Sequence, residues 1–422
     1  MRRRDARPAA IAPTLGRRDA LLYLAAAAVG SFGLGVAAFY LNFLYRALGF
    51  GELGIGVLVG AQAVGVVAGA IPAATLTRGH SRRTAILTGG TLAGLGLVAI
   101  VALSLFPLLV VAAALVGFGG IIATSSGAAL LADATEMSRR STRFGQQIAL
   151  GTTAAFLSSV LAGALAAPAA VALGAAPGDP LVLRALVAGG GVIAALSIVP
   201  TLLIREVPVT PATLDAPRRN ALMRRFLVIE TVFGFGAGSF LPFINLFFAD
   251  RFAVPFGALG LVLGVLALAG SLGALLHGRF VASRLGAVRS IVAVELASLP
   301  FALAAAFAGD LTIAVAALAV RHLLMFGASA TMNAFTLSSF TPAERAGANA
   351  VLALAWSAAN AVGAIASGAL RAALGPAGFT ANLVTLTAAY LLAAILTWSL
   401  FHAHEPRGDV GVTRLAVPDS SA

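Results

Sequence analysis

The sequence predicts an all-α membrane protein of twelve transmembrane helices in two pseudo-symmetric six-helix bundles. Three observations carry this reading. Of the 422 residues 59% are hydrophobic and 10% charged, with a mean hydropathy of +0.97, against about 25% charged in a typical soluble chain. Such a chain cannot cover itself with polar surface. Apolar runs of some twenty residues recur from end to end, the length that a hydrocarbon layer of roughly 30 Å asks of a helix. Finally, the first six runs are echoed by the last six.

The runs fall at 20–45, 53–76, 84–105, 107–132, 148–172, 181–204, 226–248, 256–282, 288–308, 311–333, 348–373 and 380–401. Helices are the expected form, because only helices and closed barrels satisfy the backbone in lipid. None of the runs shows the in–out alternation of a barrel strand. The first is too long for a cleaved signal, and the preceding MRRRDARP reads as a basic flank beside the membrane. Runs 2 and 3 are parted by the arginine loop TRGHSRR, and Asp133 and Glu136 sit at the cytoplasmic mouth of run 4. Runs 6 and 7 are joined by the polar segment 205–225. Run 7 contains GFGAGSFLPF, whose glycines and Pro242 should let the helix bend. Runs 8 and 9 are parted by a second arginine loop, and run 10 carries Arg321 and His322 in its middle. The many Gly and Ala residues suit closely packed membrane helices.

Orientation follows from the arginines. All 28 basic residues are Arg. If the N-terminus is cytoplasmic, 23 of them fall on cytoplasmic segments, and Arg46, Arg251 and Arg371 lie on the outer side. The positive-inside rule then places both termini in the cytoplasm and the chain in the cytoplasmic membrane. The net charge of +12 reflects this rule and anionic lipid rather than nucleic acid.

The halves repeat. GLGVAAFYLNFLY, ending at Tyr45, lies over GAGSFLPFINLFF, ending at Phe248, so that Asn42 falls on Asn245, Gly33 on Gly236 and Gly35 on Gly238. Gly60 falls on Gly264, Arg78 on Arg284, Arg140 on Arg345 and Gly163 on Gly368, at offsets of 204 to 206. Internal repeats of this kind are common in transporters. The expected divisions are a basic segment 1–18, a first half 19–205, a central loop 206–225, a second half 226–402 and a tail 403–422.

With twelve helices in two parallel halves, a charged central loop, and basic loops after helices 2 and 8, the chain resembles the major facilitator superfamily over about residues 19–402. That family's signature loop is Gly-x-x-x-Asp-Arg-x-Gly-Arg-Arg. The first copy here, AATLTRGHSRR, keeps Arg78 and Arg82, with Arg83 one place beyond, but has Thr77 for the Asp and His80 for the second Gly. The second, GRFVASRLGAVR, keeps Arg284 and Gly286, with Arg289 one place beyond, but has Ser283 for the Asp. The resemblance implies gating roles for these arginines, although the family's carboxylate lock is missing from both copies. Helix 4 lacks the Arg, and helix 5 the Gly-Pro pair, usual in the family's drug–proton antiporters.

Arg321 lies about 15 Å into helix 10, near the bilayer centre. A charge there costs roughly 2.5–3.5 kcal/mol and should face the bundle interior. The resemblance makes helices 1, 4, 7 and 10 the cavity lining, so Arg321 is expected to recognise an anionic or strongly polar group with its planar fork of donors. Asn42 and Asn245, in the outer part of helices 1 and 7, should bind polar substrate, close an outer gate, or bond between helices. Gln62 and Asn360 lie near mid-depth and should face the same cavity. His322, about 100° round the helix from Arg321, should not share its aim. For coupling, Glu230 is the leading carboxylate, with His322 and Asp133 behind it. Glu295, in peripheral helix 9, should be structural, and His80 and His277 solvated.

Enzyme readings find no support. No HExxH helix, P-loop or thiolate pair occurs, and the chain has no Cys. His402 and His404 are weak as a metal site, so neither metal nor cofactor is expected. The expected function is a secondary active transporter moving a small molecule, working as a monomer by alternating access with or without proton coupling. A lipid flippase on the same fold and a non-transporting sensor are the alternatives.

Overall fold

The computed structural model describes residues 15–79, 81–135, 140–205, 221–341 and 344–404. His80, Glu136, most of the central loop and both chain ends lie outside the described residues, as do the side chains of Thr77, Arg78 and His404. Among the described residues, twelve helices cross the bundle. The first half holds α1 (Arg17–Ala47), α2 (Glu52–Gly79), α3 (Arg82–Ala102), α4 (Phe106–Asp133), α5 (Arg140–Leu173) and α6 (Pro180–Ala195). The second holds α7 (Ala221–Phe240), α8 (Phe256–His277), α9 (Ala287–Ala306), α10 (Leu311–Ser338), α11 (Arg345–Leu374) and α12 (Gly378–Phe401). The described residues form 11 continuous apolar segments; the last, Gly347–Phe401, is 55 residues long and holds both α11 and α12, folded back at a turn over Gly375–Ala377.

Helix starts follow local chemistry. Asp179 caps α6 by accepting from Leu181 N (2.8 Å), with Pro180 as the first helical residue, and Asp310 caps α10 by accepting from Ile313 N (3.0 Å). Ser81 Oγ accepts from Thr84 N at the start of α3. Each occupies one of the donors that a helix N-terminus leaves over. Asp19 is fully buried in the first turn of α1. It accepts from the backbone N–H groups of Gly16 (2.9 Å) and Arg205 (3.0 Å), tying the start of the first half to its end.

The two halves share one packing plan. In the first, α1 packs on α5 and α6, α4 on α2 and α3, and α3 on α6. In the second, α7 packs on α11 and α12, α10 on α8 and α9, and α9 on α12. Across the halves, α2 meets α11 and α5 meets α8, two contacts that the pseudo-two-fold exchanges. The repeated glycines sit at these crossings. A Cβ on Gly56 would stand 3.0 Å from Gly368 Cα, and one on Gly163 2.9 Å from Gly260 Cα. Helix 7 does not run straight: a 3-10 turn, Leu241–Phe243, separates α7 from a short helix Ile244–Phe252. The missing amide hydrogen of Pro242 accounts for the break.

One expectation is corrected. His277 is not solvated but buried, with Nδ1 2.7 Å from Thr331 Oγ1 on α10. The chain continues past it through a π-turn, Gly278–Ala282, and Gly327 lets α10 come close, so the ring is enclosed.

Candidate substrate cavity and interhalf seam

Two sites stand out, one at each level of the bundle. The first is a seam between the halves, at the end bearing the α1–α2 and α7–α8 turns. Here Asn42 Nδ2 donates to Pro242 O (2.7 Å) and to Asn245 Oδ1 (3.0 Å), while Asn245 Nδ2 donates to Phe39 O (3.1 Å). Phe39 and Pro242 are 203 positions apart, as the two amides are. The seam is therefore reciprocal: each amide bonds the carbonyl three residues before the other. Pro242 O is available because Leu246 N donates to Asn245 Oδ1 (2.9 Å). Phe256 packs its ring against Phe43 and Tyr40 of the other half, with centroids 4.9 and 5.7 Å away.

Above this seam runs a charge chain that sequence reasoning missed. Arg46, at the end of α1, reaches Asp250 of the second half and Glu52 of its own (2.8 Å), and Glu52 pairs in turn with Arg371 at the end of α11. Arg371 is buried, its guanidinium 4.3 Å from the Phe243 ring centroid. The signal was present in the sequence: Glu52 and Asp250 lie beside the arginines of the Arg-poor side.

The second site is a cavity of about 430 Å³ walled by α7, α9, α10, α11 and α12. Its lining runs from Leu241 and Arg321 at mid-depth to Thr336 and Asn349 near the opposite end of the bundle from the seam. Along α10, Arg321, Met325, Ala328, Met332 and Thr336 follow at helical spacing and form one stripe. Arg321 is 2% exposed; its guanidinium lies over the Tyr390 ring at 4.9 Å, and Nη2 has no hydrogen-bond partner. Glu230 and Glu295 share this cavity wall, and Glu295, 1% exposed, has an unpartnered Oε2.

The predicted site residues divide between these places. Arg321, Glu230 and His322 line the cavity together. Arg321 and His322 both reach it despite their angular separation, because α10 presents a broad face; His322 sits half-buried, Nδ1 2.7 Å from Leu318 O and its ring stacked on Phe326. Glu295, expected to be only structural, also lines it. Asn42 and Asn245 belong to the seam. Asn360 lies outside this cavity, with its amide 3.5 Å from Gly234 O, and Gln62 is exposed on α2. Of the loop arginines, Arg82 pairs with Asp133 (2.9 Å), linking α3 to α4, while Arg284 and Arg289 are exposed and Arg83 half-buried. The sequence reading overlooked Tyr390 and Trp356; a phenol deep in the last apolar run, one of only four Tyr in the chain, was the available hint.

The profile of the Major Facilitator Superfamily matches residues 23–336. Among solved structures, the fold is similar to a bacterial homologue of the human lysosomal transporter Spinster in an inward-facing, unoccupied conformation. That likeness has a TM-score of 0.74 at 15% identity, over 93% of this chain and 98% of that one. It is also similar to the nucleoside transporter NupG (0.69, 13%, 92% and 100%) and to a bacterial homologue of the iron transporter ferroportin in an inward-facing state (0.68, 17%, 90% and 98%). At these identities the likeness is one of fold. Comparison with curated proteins gave no match.

Proposed function

This chain belongs to the Major Facilitator Superfamily, a family of secondary transporters, and from that premise we propose that it moves a small molecule across the cytoplasmic membrane by alternating access. The observation that carries the proposal is the contrast between the two sites. The halves are pinned together at the seam, while the cavity extends from mid-depth toward the other end. The arginine distribution supports that other end as the cytoplasmic one, and on that reading the conformation is inward-facing. Arg321 reads a polar or anionic part of the substrate, Glu230 and His322 are the coupling candidates, and the Asn42–Asn245 seam is the outer gate. The arginine loops of α2–α3 and α8–α9 lie at the inner mouth.

The absence of Cys gives a direct test, since introduced thiols will be the only ones. Helices α5 and α8 cross at Gly163 and Gly260, with Leu173 and Pro255 exposed on the seam side and Ile148 and Phe280 exposed on the other. Spin labels at L173C/P255C and at I148C/F280C should show opposite distance changes when substrate and a gradient are supplied to proteoliposomes. The same vesicles should accumulate substrate. Binding without accumulation would make the protein a sensor, and movement of labelled lipid alone would make it a flippase.

A further inference from the structure

The cavity holds a guanidinium and two carboxyl groups that do not pair with one another. Arg321 makes no ion pair with Glu230 or Glu295, and both Arg321 Nη2 and Glu295 Oε2 are buried without a hydrogen-bond partner. Tyr390 lines the same wall, its ring centroid 4.9 Å from the Arg321 guanidinium. Buried charge is expensive unless paired. A wall built only for stability would bring the guanidinium and a carboxylate together. Here each is left facing the same space, which leaves both to be completed by something that enters.

From this arrangement we propose that the substrate is a zwitterion with an apolar or aromatic body: its anionic group on Arg321, its ammonium on Glu230 and Glu295. The proposal rests on the cavity being the substrate site. A purely anionic ligand would satisfy Arg321 but bring a further negative charge into a space with two carboxylates. A purely cationic one would satisfy the acids and leave the buried guanidinium unpaired. Only a ligand carrying both groups completes both. The body follows from the rest of the lining, where Phe233, Leu241, Met325, Phe326 and Trp356 offer apolar and aromatic surface between the charged poles. A volume of about 430 Å³ is toward the small end for ligand sites, which suits an amino-acid-sized or dipeptide-sized molecule.

The test uses three probes that share one ring: L-phenylalanine, 3-phenylpropanoate without the ammonium, and 2-phenylethylamine without the carboxylate. Equilibrium binding to purified protein in detergent should favour phenylalanine over each of the others by about tenfold or more, the usual size of a charge-assisted contact. Arg321→Gln should bring phenylalanine down to the level of phenylethylamine. Glu295→Gln, or Glu230→Gln on the more accessible side chain if the first variant fails to fold, should bring it down to that of phenylpropanoate. The proposal is overturned if either single-charge analogue matches phenylalanine, if phenylalanine does not bind, or if both Gln variants at the acids bind it unchanged. Flux is a separate readout. A protein that prefers the zwitterion yet never accumulates it would end the transport reading and leave this one standing; accumulation of a substrate of a single charge would do the reverse.

Discussion

In the first half of the molecule α1 packs on α5 and α6, and in the second α7 packs on α11 and α12, with glycines of the repeat at matching crossings. The resemblance stops at mid-depth. At the offsets of 203 to 206 that align the halves, Glu230 falls on Ala27, Glu295 on Gly89 or Gly90, and Arg321 on Leu115 or Val116. Packing is duplicated and charge is not. The repeat therefore carries the close packing of the crossings, while departures from it mark where the cavity's charged side chains gather. The seam completes the contrast: Asn42 and Asn245 are a repeat pair that meets across the axis, where symmetry itself makes the bond reciprocal.

The comparison breaks most readily at Arg321. Arg321→Ala and Arg321→Lys should weaken substrate binding to a similar extent, by about 1.5–3 kcal/mol or roughly ten- to hundredfold, since an ammonium lacks the guanidinium fork. Folding should survive. Normal affinity with an early melt in Arg321→Ala would make the residue a structural pin and return the second half to the plan of the first. Next in size are the crossings. Gly56→Val and Gly163→Val each push a branched side chain into a backbone contact and should cost about 1–3 kcal/mol of the packing there. Thermal melts or spin-label distances should show equal effects at the two symmetric sites, whereas a large inequality would mean that the halves are not mechanically equivalent.

The seam comes third. Asn42→Ala and Asn245→Ala should each loosen it by about 0.5–1.5 kcal/mol. The double variant should fall short of the sum of the two single ones, because the bond between the amides is lost in either, while the bonds to Pro242 O and Phe39 O are separate. Full additivity would show two independent contacts. Smallest is Arg46→Ala: its partly exposed pairs with Asp250 and Glu52 should contribute about 0.2–1 kcal/mol, a part that fades with salt.

Much of the architecture was legible because a bilayer imposes a length and the repeat imposes a count. The join between α11 and α12 falls at the turn Gly375–Ala377, within the gap between the runs 348–373 and 380–401, even though apolar character runs through it unbroken. Arg321 was legible because a charge in an apolar run has few places to go. The helix faces were not legible. In a membrane helix the lipid side and the packed side are both apolar, so nothing in the sequence told which way Asn360 turns, and it packs on Gly234 outside the cavity while Glu295 of the outlying α9 reaches in. Tyr390 and Trp356 were hidden for the same reason, and so was His277, which is covered by α10 at Thr331 and Gly327.

At the seam Leu246 N turns to Asn245 Oδ1 and leaves Pro242 O to Asn42, and with the bond from Asn245 Nδ2 to Phe39 O this makes a buried set of donors and acceptors that meet across the two halves. When the halves part there, those groups have to be met by water, because buried polar groups left bare are costly. On the alternating-access proposal, opening the outer mouth is an uptake of solvent, and water becomes a reactant in the cycle whose activity an experimenter can set. Excluded osmolytes such as sucrose, which favour whatever state exposes less surface, should hold the transporter shut at that mouth.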